Sequence, residues 1–157
     1  MITQSGFDGG PVMIEIEELN VDNWLKVMEL KVSKEQKDLF PIPNVYWIGI
    51  SRYEEGTTLY AIKNDETFVG LVGVGYDEDG VSGYINPLMI DEKYQGKGYS
   101  RDAMILVIQK LKNDYMVPEI HIGHRKDNYV AGKLYESLGF TIVDEDENDY
   151  YRKLNLK

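Results

Sequence analysis

Leu88-Met-Ile-Asp-Glu-Lys-Tyr-Gln-Gly-Lys-Gly-Tyr-Ser-Arg101 is the most informative stretch of this 157-residue chain. Val81–Ile90 predicts a strand. It runs into a loop, Asp91–Gly98, and the loop opens a helix, Ser100–Lys112, in which Met104, Val107, Ile108 and Leu111 recur at helical spacing. A helix N-terminus offers unpaired N–H groups and a partial positive charge. Glycines let such a backbone close around an anion. Lys97 and Arg101 add positive charge, and a pyrophosphate is the ligand these features suit. Two other phosphate motifs are excluded. A P-loop needs Ser or Thr after Gly96-Lys97, where Gly98 stands, and a glycine five residues before Gly96, which is absent. A dinucleotide fingerprint needs a third glycine where Arg101 stands. The loop read alone is equally compatible with an ordinary strand-to-helix turn.

Outward from that loop the chain resolves into short elements. Upstream, Met13–Leu19 reads as a strand. Asp22 is placed to cap a helix through about Lys31, with Val21, Leu25, Met28 and Val32 on one face. Ser33 is placed to cap a second short helix, Lys34–Leu39, before Pro41 and Pro43 break the pattern. Thr57–Lys63 and Thr67–Tyr76 form a hairpin about Asn64-Asp65. Asp77–Gly80 turns the chain into Val81–Ile90, where Pro87 lacks a ladder donor and predicts a bulge or an unpaired edge. Downstream come a strand, Glu119–Gly123, and a helix, Asn128–Leu138, with Ala131, Leu134, Tyr135 and Leu138 on one face and Gly139 as its stop. Phe140–Val143 and Tyr150–Leu154 are the last strands, joined by the acidic turn Asp144–Asp149. This order, βααβββαβαββ, predicts one mixed α/β sheet with helices against it. Residues 1–12 are Gly-rich and polar and read as a leader or cloning remnant outside the fold. Residues 13–157 read as a single domain.

Composition excludes several classes. There are no cysteines, hence no disulfide framework, thiolate metal site or cysteine nucleophile. The two histidines, His121 and His124, are too few for a histidine-built metal site. At i and i+3 of a strand they face opposite sides, so they read as a cleft or core histidine and a loop histidine past the strand end. A net charge of −10 repels nucleic acid and attracts a small cationic partner. No apolar run approaches a membrane span, and no secretory signal is visible. The expectation is a cytoplasmic protein with neither nucleic acid nor membrane as partner. The acidic clusters Asp77–Asp79 and Asp144–Glu147 read either as solvated hairpin tips or as a field that draws in a polycation.

Gln95-x-x-Gly98-x-Ser100 resembles the acetyl-CoA loop of the GNAT superfamily of N-acetyltransferases. A second stretch at the right distance, Asn128-Tyr-Val-Ala131-Gly-Lys-Leu-Tyr135-Glu-Ser-Leu-Gly139-Phe140, resembles the family's C-terminal N-x-x-A-x-x-L-Y-x-x-x-G-F helix. The resemblance covers about Met13 to Leu156. Leu30-Lys-Val-Ser-Lys-Glu-Gln36 and Ile90–Gly98 are similar, more loosely, to bacterial spermidine and spermine acetyltransferases. The fold it implies is a single-domain α/β structure: a mixed, mostly antiparallel sheet with a splayed parallel strand pair and flanking helices. The activity it implies is acetyl transfer from acetyl-CoA to a primary amine, with no metal. A polyamine is the first acceptor, with an aminoglycoside, an amino acid or a protein amine as alternatives. A non-catalytic acyl-CoA-binding module is the reading from another class, and a homodimer is a possibility common in the family.

The resemblance also implies roles. Leu88, Met89 and Ile90 lend backbone groups to the pantetheine arm. Gln95, Gly96, Lys97, Gly98, Tyr99, Ser100 and Arg101 hold the pyrophosphate. Ser100 departs from the family's preference for Gly or Ala there. Tyr135 is the general acid beside the thioester sulfur, although its helical spacing alone reads as core. Asn128 contacts the cofactor, or simply caps its helix. Lys133 reaches a phosphate of the cofactor or is solvated. Asn86 and Glu35 face the acceptor, and Asn86 stands where the polyamine enzymes tend to carry an acidic residue. The base is not identified. Glu35, Asp91 and Glu92 are remote candidates, alongside a water chain to bulk solvent.

Overall fold

The computed structural model describes residues 2–5, 11–39, 42–54 and 56–157. Eight strands form one sheet: β1 (Ile2–Ser5), β2 (Pro11–Glu18), β3 (Thr57–Asn64), β4 (Thr67–Tyr76), β5 (Gly83–Ile90), β6 (Glu119–Arg125), β7 (Thr141–Glu145) and β8 (Asp149–Asn155). Their order across the sheet is β1-β2-β3-β4-β5-β6-β8-β7. Every neighbouring pair is antiparallel except β5 and β6, which run parallel. Four helices flank the sheet: α1 (Trp24–Met28), α2 (Asn44–Tyr53), α3 (Tyr99–Asn113) and α4 (Tyr129–Ser137).

Strand alternation explains the two layers. On β3, Tyr60 and Ile62 enter the larger core, whereas Leu59 and Ala61 enter the other. The larger core receives Met104, Val107 and Leu111 from α3 and Tyr135 from α4. The smaller core takes Val27 of α1, with Trp47 and Ile48 of α2 packed against it. With both faces covered, the centre of β4 is buried along its length, which is why Val69, Leu71, Val72 and Val74 read as a nearly continuous apolar run.

The parallel pair positions the site. Only Gly83↔Ile120 and Tyr84↔His121 are in register between β5 and β6. Beyond Tyr84 the strands part, while β6 stays paired with β8 along its whole length. On the other flank of β5 the register with β4 slips between Val72 and Val74, opposite Asn86 and Pro87. The irregularity expected at Pro87 is therefore present, and the splayed parallel pair with it. Close approach leaves no room at Gly73, where an added Cβ would lie 2.5 Å from the Asn86 carbonyl oxygen.

Several sequence expectations are corrected. Residues 1–12 are expected outside the fold, yet Ile2–Ser5 pairs with β2; residues 1 and 6–10 lie outside the described residues. The helix expected over 22–31 is the short α1. Its Val27 is fully buried, while Val21 and Leu25 are 82% and 52% exposed. The helix expected over 34–39 is a single 3-10 turn, Lys34–Gln36. A ten-residue helix, α2, follows directly after Pro43, where the sequence indicated none.

Candidate active site

Where β5 and β6 separate, a cleft of about 1180 Å³ opens. Its floor is β5 from Ile85 to Ile90. One wall is α1, the segment after it, and the start of α2. The other is Gly123–Arg125 of β6 with the start and inner face of α4, and the glycine loop closes one end.

The β5 floor turns backbone groups toward the cleft. Asp91 N–H donates to Val69 O at 2.8 Å, and Met89 is in register with Leu71. Antiparallel alternation then turns the N–H and C=O of Leu88 and Ile90 away from β4, toward the side where β6 has departed. Ile90 O accepts from Gln95 Nε2 at 2.9 Å on that side. Met89 differs from its two neighbours: its backbone faces the β4 ladder, and its side chain joins the smaller core.

The loop is held from beneath. Gln95 Nε2 also donates to Gln36 Oε1 at 2.8 Å, so the Gln95 side chain braces the loop against the 3-10 turn rather than reaching outward. Gly96 and Gly98 both have positive φ, 78° and 81°, a region that favours glycine. Gly98 is the N-cap position of α3, so the unpaired amides of the first turn open onto the loop. Ser100 and Arg101 line the cleft, and Arg101 Nη1 donates to Ser137 Oγ at 2.7 Å. Tyr99 also lines it, but is buried, with its hydroxyl accepting from Asn64 Nδ2 at 3.0 Å.

Tyr135 lines the opposite wall and is 6% exposed. Its ring is edge-on to His124, with centroids 5.7 Å apart. Burial pushes its pKa upward, so the phenol keeps its proton at neutral pH. Asn128 caps α4, its Oδ1 accepting from Ala131 N–H at 3.2 Å, and lines the cleft from that position.

Most of the expected residues thus converge. Asn86, Leu88, Met89, Ile90, Gln95, Gly96, Gly98, Tyr99, Ser100, Arg101, Asn128 and Tyr135 all border the one cleft. Lys97, Lys133 and Glu35 are exposed and do not border it. Neither do Asp91 and Glu92. Asp91 is buried, and its two oxygens accept from the backbone N–H groups of Lys31 and Lys93, both at 3.0 Å. It joins the α1 side of the cleft to the end of β5.

Two cleft residues were not found from sequence. Glu29 borders the cleft at the end of α1 and makes no ion pair among the described residues. The other cleft carboxylate, Asp127, is paired with Arg125 at 3.0 Å. His124 was placed past the strand end, but it lies within β6, opposite Tyr150, and faces the cleft.

His121 lies outside the cleft. Its Nδ1 meets Asp77 Oδ2 at 2.6 Å and its Nε2 meets Glu119 Oε1 at 3.1 Å. Burial disfavours its charge, but these hydrogen bonds outweigh that and raise its pKa. Among the described residues no cluster of His, Asp and Glu is arranged to hold a metal ion, and no helix is long and apolar enough to cross a membrane.

The Acetyltransferase (GNAT) family profile matches residues 16–140. The chain belongs to the GNAT family. Its activity class is accordingly N-acetyl transfer. A spermine/spermidine N(1)-acetyltransferase of Bacillus subtilis (strain 168) is 28% identical over 147 residues, covering 84% of this chain and 90% of that one. Two solved structures share the fold. The Campylobacter jejuni N-acetyltransferase PseH in complex with acetyl coenzyme A has a TM-score of 0.69 at 20% identity, covering 92% of this chain and all of that one. The spermidine N-acetyltransferase of Vibrio cholerae, in complex with CoA and spermine, has a TM-score of 0.75 at 13% identity, covering 90% and 95%.

Proposed function

We propose that this protein transfers the acetyl group of acetyl-CoA to a primary amine, and that the acceptor is a polyamine such as spermidine or spermine. The observation that carries the transfer is the meeting of three features in one cleft. These are the edge of β5 at Leu88 and Ile90 that β6 leaves uncovered, the glycine loop at the α3 N-terminus, and a protonated Tyr135 on the facing wall. The polyamine is supported by the named activity of the Bacillus subtilis relative.

Each part has a physical task. Leu88 and Ile90 pair with the amide groups of the pantetheine arm as an extra strand would. Gly96, Gly98 and the first-turn amides of α3 receive the pyrophosphate, and Arg101 adds charge beside them. Lys97 and Lys133, exposed outside the cleft, act on the cofactor only at longer range. Acetyl-CoA supplies an acyl group activated as a thioester. Tyr135 presents its hydroxyl proton where the sulfur leaves, so that the thiolate is met by a donor. Glu29, with no competing cation paired to it, receives a positive end of the acceptor on the α1 wall. Asn86 lends an amide to the cleft but no base, so the acceptor ammonium gives its proton to water and the neutral amine then attacks the thioester carbonyl.

The test is an acceptor panel with acetyl-CoA: spermidine, spermine, an aminoglycoside, free amino acids and a peptide N-terminus, read by thiol release and acceptor mass. Spermidine and spermine are expected to show the highest kcat/KM. Acetylation of another class with polyamines untouched overturns the acceptor and leaves the transfer standing. Acetyl-CoA binding with no product from any amine overturns the transfer itself.

A further inference from the structure

Arg152 is a buried guanidinium, 8% exposed, and it makes no ion pair among the described residues. Leaving a charge inside a protein without a counter-charge is costly, so its contacts call for explanation. Arg152 sits on β8 in register with Ile122, one diagonal step from His124. Its Nε donates to His124 Nε2 at 2.9 Å, and its Nη1 donates to Phe140 O at 3.3 Å. His124 Nδ1 lies 2.9 Å from the Arg125 carbonyl oxygen. A carbonyl can only accept, so Nδ1 carries the proton. Nε2 then has a lone pair free for the guanidinium. Protonating Nε2 would set N–H against N–H and place two cations side by side.

The imidazole so fixed packs T-shaped against the Tyr135 ring, and Gly132 of α4 makes the room. A Cβ there would stand 3.2 Å from His124 Cε1 and 3.6 Å from Arg152 Nη2. The groups that face His124 are Arg152, Asp149 and Tyr150 from β8, Tyr135 from α4, and the Arg125 carbonyl of its own strand. Burial and then the Arg152 charge lower its pKa, outweighing the Arg125 carbonyl and Asp149, which act the other way.

We propose that Arg152 and His124 are positioning residues for Tyr135: the buried guanidinium, bonded to His124 Nε2, fixes the imidazole in T-shaped contact with the phenol ring and so holds the hydroxyl toward the cleft. The proposal rests on Tyr135 acting as the proton donor. With both ring nitrogens occupied, His124 is not the base that receives the acceptor's proton.

Nitrogen-15 NMR of histidine-labelled protein reads the first part without any turnover. His124 is expected to show protonated Nδ1 and unprotonated Nε2 from about pH 8 down to below its ordinary value of about 6.5. An Nε2–H tautomer, or an imidazolium at neutral pH, overturns the proposal whether or not any amine is acetylated. Kinetics reads the second part. Arg152→Met is expected to lower kcat about tenfold, since small misplacements at a reacting centre cost that much or more, with KM for acetyl-CoA changed less than about twofold. It should also add an acid limb to kcat near pH ~6.5 as His124 becomes free to charge. Arg152→Lys, which keeps a charged donor, is expected to restore most of kcat. Adding His124→Phe to Arg152→Met keeps the ring contact and is expected to remove the acid limb. An unchanged kcat and pH profile in Arg152→Met, or an acid limb that survives in the double variant, overturns the positioning role. Should Arg152→Met fail to fold, His124→Ala, which takes the ring away from Tyr135, reads the second part in its place, and an unchanged kcat there overturns the positioning role.

Discussion

The two ends of the β5–β6 pair are built from the same two strands and do opposite things. At the start, Gly83 and Tyr84 pair with Ile120 and His121. Charges and donors there are matched: His121 joins Asp77 to Glu119, Ser82 Oγ reaches Asp79 and Glu119, and Lys153 Nζ lies 3.3 Å from Glu119. At the far end the ladder stops. Backbone groups of Leu88 and Ile90 face a cleft, two glycines hold positive φ, and a phenol and a guanidinium are buried with no ionic partner among the described residues. A strand pair that zipped fully would be more stable and would have nothing to offer a pantetheine arm. The brace stands at the closed end, and the cleft opens where pairing is given up.

The comparison is broken most severely at Tyr135. Tyr135→Phe keeps the ring, its packing on Phe140 and its edge contact with His124, and removes only the hydroxyl. Turnover is expected to fall about 100-fold or more, the usual worth of a positioned acid, while the dissociation constant for acetyl-CoA stays within about twofold. Steady-state kinetics with equilibrium binding checks both, and unchanged turnover removes Tyr135 from the mechanism. A smaller break is Gly98→Ala. A Cβ on a residue at φ 81° costs about 1–2 kcal/mol, so the loop either strains or shifts. KM for acetyl-CoA is expected to rise roughly tenfold with kcat at saturation nearly intact, since that strain falls on cofactor binding and not on Tyr135. A fall in kcat with KM unchanged would mean that the loop serves the chemical step instead.

Much of the open end was legible in the sequence because its devices are local. Gly96 and Gly98 mark a loop, Pro87 marks a fault in a strand, and α3 and α4 carry clean helical spacing with Gly139 as the stop. What escaped depends on distant partners. α2 is written in residues of middling helix preference, Val45, Tyr46, Trp47, Ile48 and Ile50, after two prolines that read as breakers. Yet Pro43 is the N-cap, where its missing N–H costs nothing, and Asn44, Trp47 and Ile48 at helical spacing were the available signal. The helix expected over 22–31 ends early, at Met28, and no spacing in the chain marks Glu29 as a cleft residue. His124 was cut off at Gly123 because only the register with β8 carries β6 on to Arg125. The same register brings Arg152 beneath His124, a contact no spacing in the chain announces. The two acidic clusters, expected as solvated hairpin tips or as a field for a polycation, use their carboxylates differently. The Asp146 carboxylate takes the backbone N–H groups of Asn148 and Asp149, as turn residues do, but Asp77 is spent on His121.

That spent carboxylate gives the smallest and most selective way to sharpen the comparison. The pKa of His121 is raised in the fold, so the stability its charge contributes is full below its ordinary value of 6.5 and is lost as pH rises through the raised value. The pKa of Glu119 is lowered, chiefly by its hydrogen bond to His121, so its contribution is present above its ordinary 4.5 and is lost as pH falls through the lowered value. The brace is therefore complete between about pH 4.5 and 6.5. His121→Ala is expected to cost about 0.5 kcal/mol in that window, a small figure because the ring is partly exposed and water screens the pairs. Urea titrations at pH 5.5 and pH 8.5 should show the cost shrinking at the higher pH, with kcat at saturating substrates unchanged at both. A kcat that falls along with stability would tie the geometry at Leu88 and Ile90 to a proton bound at the other end of the same pair.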